Sequence, residues 1–161
     1  MVFCVAASSF LVKSSITAYI HYLSFILCFG ALTYERISVK PNPQRNESIA
    51  MLCADIVYGI AGIALLVSGI LRVKYYGQGD MFYTQNPLFW VKIVLFACVG
   101  LLSLYPTFTY ILWAIPLSKG TLPKVNDNLA KRLRLIVNIE LLGFVSIPLM
   151  ATLMARGIGL P

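Results

Sequence analysis

The chain has 161 residues, 59% of them apolar and 12% charged, and its mean hydropathy is +0.82. Soluble domains carry about a quarter charged residues, so this composition excludes a water-exposed globule, and with it a disordered, collagen-like or disulfide-stapled chain. Thirteen Lys/Arg against six Asp/Glu give a net charge of +7, but the basic residues lie between apolar runs without a dense block, which marks membrane topology and excludes nucleic acid as a partner. Residues 1–12, MVFCVAASSFLV, are apolar but too short to span a bilayer and lack a charged leading region, so a signal peptide is not expected. They read as a short helix lying along the membrane, and their acid-free, Ser- and Ala-containing composition is also that of a plastid transit remnant. A four-helix transmembrane domain over 14–158 follows.

Its spans fall at about 14–34, 49–73, 87–115 and 133–155, each long enough for the roughly 20 apolar residues that cross a bilayer. Runs of this length without alternation are helices, not barrel strands. Asn86 is placed to cap the third span, with Pro87 in its first turn and Pro116 closing it, and Asn126 or Asp127 caps the fourth. Short connections make neighbouring helices antiparallel, and the expected fold is an all-α, up-down-up-down bundle. Arg36, Lys40, Arg45, Lys119, Lys124, Lys131, Arg132 and Arg134 lie towards one side, and Lys13, Arg72, Lys74 and Arg156 towards the other. Eight against four puts the first side in the cytoplasm or stroma and both termini on the periplasmic or lumenal side. The expected location is therefore a thylakoid or a bacterial inner membrane.

An ionisable side chain inside a span asks for a reason, since a central charge costs about 2.5–3.5 kcal/mol on insertion scales. His21, Asp55, Lys92 and Glu140 are such residues. His21 and Lys92 enter from the same side at similar depth, which makes one polar layer; Asp55 and Glu140 lie nearer the other face, close to Glu35 and Arg36. A neutral imidazole in a bundle can ligate haem iron or chlorophyll magnesium, or can serve as a helix-to-helix hydrogen-bond partner. Lys92 can extend towards the surface, Asp55 reads as an interfacial cap, and the most economical partner of Glu140 is Arg36. Gly59, Gly62 and Gly69 allow close approach of another helix or a flat macrocycle, while Pro106 and Pro148 mark kinks. The cysteines, Cys4, Cys28, Cys53 and Cys98, form no CxxC pair and read as packing residues. Gly77-Gln78-Gly79-Asp80 lacks the Lys-Ser/Thr of a phosphate cradle, so no nucleotide cofactor is expected.

The run from His21-Tyr22-Leu23 through Phe29-Gly30-Ala31-Leu32 to Glu35-Arg36 continues in Tyr76-Gly77-Gln78-Gly79 and Asn86-Pro87-Leu88-Phe89-Trp90-Val91-Lys92. With Gly100-Leu101-Leu102-Ser103 and Met154-Ala155-Arg156-Gly157, it resembles an uncharacterised family of predicted four-helix membrane proteins of bacteria, including cyanobacteria. More distantly, the order His21, Gly30, Arg36, Trp90 with Lys92, and Asn138 with Glu140 is similar to HemJ-type membrane protoporphyrinogen oxidases. That second resemblance implies haem b held through His21 and a requirement for Lys92 in activity. The chain departs from it in the spacing of Asn138 and Glu140, which Ile139 separates, and in the lengths of its connections.

The expected function is a non-catalytic accessory subunit of a larger membrane assembly, photosynthetic in the thylakoid case, that holds haem b or chlorophyll through His21 and Lys92. Its partners would be the lipid bilayer and other membrane subunits, or further copies of the chain. The alternative is oxidation of a porphyrinogen, with Lys92, Glu140 and Arg36 as the catalytic set. A third reading is a small proton or cation transporter using Asp55 and Glu140.

Overall fold

A computed structural model describes residues 2–159, and the side chains of 9–159. The readings of Met1 and of the Cys4 side chain lie outside these. Helix α1 runs over Val2–Ser38 and α2 over Arg45–Leu71; a π-helical turn, Arg72–Tyr76, and the short α3, Asp80–Thr84, lead to α4, Pro87–Ser118, and α5, Asp127–Ala155. No strand occurs among the described residues. The four long helices all have the length and apolar composition of membrane spans.

The helix ends follow local chemistry. No glycine or proline precedes Gly30, so nothing interrupts α1, and the apolar N-terminal stretch runs straight into the first span instead of forming a separate surface helix. Helix α2 begins four residues before its apolar run because a capping box starts it: Glu47 accepts the Gln44 backbone N–H at 2.8 Å and pairs with Lys40 at 2.7 Å. Asn86 accepts from the Leu88 N–H at 2.9 Å and Asn126 from that of Leu129 at 2.8 Å, as their positions before an apolar run require. Pro116 does not close α4. The helix continues to Ser118, and the Pro116 carbonyl then accepts from the backbone N–H groups of Lys119 and Thr121.

The spans pack as two antiparallel hairpins, α1 with α2 and α4 with α5, joined by contacts of α2 with α4 and α1 with α5. Buried residues recur at steps of three and four, as in Met51, Asp55, Tyr58, Ala61 and Leu65 of α2, and the steps alternate strictly in Ala130, Leu133, Val137, Glu140 and Phe144 of α5. This is the seam of a left-handed helix bundle. One core cluster lies around Cys28, Leu32, Tyr58, Val99, Val137 and Phe144. A second, around Met51, Tyr110, Trp113 and Leu133, closes the end that carries the α1–α2 and α4–α5 connections. Outward positions are apolar as well: Ile63, Leu101 and Leu142 are each more than 65% exposed. Such a surface is stable only in hydrocarbon, so the chain is an integral membrane protein.

Candidate functional site

Where both termini emerge, the bundle opens into a cavity of about 580 Å³ between α1, α2, α4 and α5, with the π-helical turn and α3 at its rim. Hydrogen bonds hold that rim in place. The Trp90 indole donates to the Thr84 carbonyl at 3.0 Å, and Asn86, fully buried, donates to the Ile158 carbonyl at 3.0 Å. The Gly77 backbone lies so close to Arg72 and to the ring of Tyr83 that no side chain fits there. Phe25, Leu65, Phe89, Phe96 and Pro148 supply apolar walls, while His21, Arg72, Lys74 and Lys92 supply polar groups, and none of the described residues that line the cavity is acidic. Arg72 lies over the ring of Tyr22 at 5.1 Å and Lys92 over that of Phe89 at 5.3 Å. Neither forms a salt bridge, the one such pair among the described residues being Lys40 with Glu47. Cations resting on aromatic faces above apolar walls suit a flat, largely apolar ligand that carries carboxylates.

His21 is fixed by α2. Its Nδ1 lies 3.0 Å from the Ser68 hydroxyl, which is itself 2.6 Å from the Ala64 carbonyl. A hydroxyl has a single proton, and the shorter contact, to Ala64, takes it; Nδ1–H therefore donates to Ser68 Oγ, and Nε2 keeps its lone pair. Gly69 makes this approach feasible, because a Cβ there would stand 3.3 Å from His21 Cε1. Gly59 and Gly62, which the sequence grouped with Gly69, meet nothing within 4 Å. Lys92 lines the same cavity as His21, in keeping with their similar depth, and turns to the Phe89 ring within it.

The remaining expected residues lie elsewhere. Glu35 and His21 are 14 residues apart on α1, about 21 Å along the axis, so the carboxyl groups belong to a second layer. Arg36 does not pair with Glu140: its Nε donates to Asn138. Glu35 points inward, and successive helical residues diverge by about 100°, so Arg36 is turned to the flank of α5 where Asn138 stands. Asp55 is not an interfacial cap. Because α2 starts at Arg45, Asp55 lies in its third turn, 5% exposed, accepting from the Thr107 hydroxyl at 2.7 Å. Glu35 and Tyr110, 1% and 0% exposed, complete this layer and were not among the sequence candidates.

The family described as "Predicted membrane protein (DUF2214)" matches residues 13–159. The chain belongs to that family. No curated protein and no solved structure matches it. For this DUF2214 chain the match covers the four spans and both polar layers while leaving activity unassigned. No group of three or more His, Cys, Asp or Glu among the described residues is arranged to hold a bare metal ion. A macrocycle supplies most of its metal's ligands itself, and His21 would be the residue to complete the set. Residue types, volume and charge at the cavity fit such a group.

Proposed function

We propose that the protein is a non-catalytic integral membrane subunit that holds a tetrapyrrole, either haem b with its free carboxylates or a chlorophyll-type pigment with esterified ones, in the cavity at the termini end of the bundle. The reading rests on one observation: an imidazole held at Nδ1 by Ser68 lines an apolar cavity whose charged side chains, among the described residues, are all cations. His21 would hold the metal of the group, Arg72 and Lys92 would meet the carboxylates of haem b or the ester carbonyls of a chlorophyll-type pigment, and Phe25, Phe89 and Phe96 would exclude water. Such a group supplies electron transfer or light absorption when bound. The thylakoid or bacterial inner membrane is the setting proposed, with the cavity on the lumenal or periplasmic side, in keeping with the excess of basic residues at the opposite end.

The similarity to HemJ-type enzymes makes porphyrinogen oxidation the competing reading, and Lys92 beside His21 favours it. Against it, the set that chemistry would need is divided: Glu140 and Arg36 are absent from the cavity lining, and Arg36 is engaged with Asn138. The test is an absorption spectrum of the protein extracted in mild detergent, followed by titration of the apoprotein with haemin. A Soret or chlorophyll band that His21→Ala abolishes supports tetrapyrrole binding. Native protein without bands whose apo form binds no haemin overturns it. Rescue of a strain lacking protoporphyrinogen oxidase would replace the subunit reading with the enzyme.

A further inference from the structure

The other half of the bundle contains an arrangement that a ligand in the cavity would not touch. Each of the four spans contributes one buried polar group to it: Glu35 from α1, Asp55 from α2, Tyr110 from α4 and Glu140 from α5, none more than 5% exposed. The carboxyl groups lie within electrostatic reach of one another, Glu35 facing both Asp55 and Glu140, and the Tyr110 hydroxyl stands beside Glu35. Asp55 has Thr107 as a partner. Glu35 Oε1, both oxygens of Glu140 and Tyr110 Oη have none among the described residues.

Among the described residues, no cation answers this charge. Arg36 is committed to Asn138, Arg134 donates to the Val39 carbonyl at 2.7 Å, and the Lys40–Glu47 pair lies at the start of α2. Tyr58 of α2, the remaining titratable group facing Glu35 and Glu140 apart from Cys28, is neutral or anionic and cannot compensate either. Three ionised carboxylates here would lose their hydration and repel one another with only the Thr107 hydroxyl, at Asp55, to offset the cost. A shared metal ion is disfavoured, since the carboxyl groups do not converge as metal ligands do. A proton meets both requirements at once. It removes the charge and converts an acceptor-only carboxylate into a donor, which gives the unpartnered oxygens of Glu140 and Glu35 and the Tyr110 hydroxyl the means to pair with one another.

We propose that Glu35, Asp55 and Glu140, with Tyr110, form a proton-binding site shared by all four spans. That site lies nearer the end of the bundle carrying the α1–α2 connection, Glu35 being three residues from the end of α1. The proposal is independent of what occupies the cavity.

The test is infrared spectroscopy of the full chain in lipid vesicles at neutral pH, in water and in D₂O, with elemental analysis of the same sample. The expected spectrum has a protonated-carboxyl C=O band that shifts on deuteration, and Glu35→Gln and Glu140→Gln each remove one carboxyl's share of it. A hydrophobic carbodiimide, which reacts with protonated carboxyl groups in apolar surroundings, should modify Glu35 or Glu140 of the unmodified chain, as mapped by mass spectrometry. That readout needs no variant and decides the matter if a substituted chain fails to fold. A spectrum showing only ionised carboxylates, or a stoichiometric metal ion retained by the vesicle-bound protein, would overturn the proposal.

Discussion

Replacing Ser68 by Ala separates a bound tetrapyrrole held by an oriented histidine from one held by apolar contact alone. The Ser68 hydroxyl is 3% exposed at the residue level and does not line the cavity, so its removal leaves the walls and both cations in place. What changes is the acceptor for His21 Nδ1–H at 3.0 Å. A hydrogen bond of this kind contributes about 0.5–1.5 kcal/mol net, which converts to about a two- to thirteenfold weaker haemin affinity at 25 °C. The lower bound applies if Nδ1–H finds a water, and the loss grows towards the 10- to 100-fold seen for groups that orient metal ligands if the ring also changes its tautomer. Titration of the apoprotein in detergent, followed at the Soret band, measures the affinity, and the shape of that band reports axial ligation. Ser68→Thr, which keeps the hydroxyl, should retain most of the affinity. Ser68→Ala binding haemin as tightly as the parent with an unchanged Soret band would refute the claim that this hydroxyl positions the ligand.

Three further outcomes follow from the same geometry. Lys92→Met should weaken binding of a porphyrin with free carboxylates and leave binding of its methyl ester unchanged; equal losses for the two ligands would mean that Lys92 packs without recognising charge. Gly69→Val puts a branched side chain where even a Cβ stands 3.3 Å from the imidazole, so it should displace the ring and abolish the axial-ligand signature while the protein still melts cooperatively, as circular dichroism would record. Asn86→Ala removes the cap of α4 and the bond to the Ile158 carbonyl. A lost cap costs about 0.5–2 kcal/mol, and a thermal scan should show a lower midpoint, with an unchanged midpoint contradicting the view that Asn86 holds the cavity rim.

The spans were legible because length and hydropathy suffice to identify a bilayer-crossing helix, and His21 with Lys92 because similar distances from the expected starts of two spans on the same side imply a similar depth. Helix ends were less so. The α2 capping box lies in a polar segment that a hydropathy reading discards, and that omission made Asp55 look shallow. Partners were least legible: Arg36 and Glu140 share a depth but not a direction, and complementary charge says nothing about the roughly 100° turn between neighbouring helical residues.

Direction was nevertheless present in the sequence as a seven-residue repeat. On α1, His21, Cys28 and Glu35 occupy one seam position and Thr17, Ser24 and Ala31 the other; on α4, Lys92, Val99, Pro106 and Trp113 alternate with Phe89, Phe96, Ser103, Tyr110 and Leu117. Counting sevens from His21 reaches Glu35, and counting them from Phe89 reaches Tyr110, the two members of the carboxyl layer that hydropathy alone passes over. The physical reason is that a left-handed bundle keeps positions seven apart on one face. A residue's phase in the repeat therefore decides whether it points inward, and its distance from the helix end decides which layer it joins. Glu35 shares its phase with His21 and its depth with Asp55 and Glu140, so the two polar layers are successive levels of a single interior, and the apolar core around Cys28, Tyr58 and Phe144 separates them.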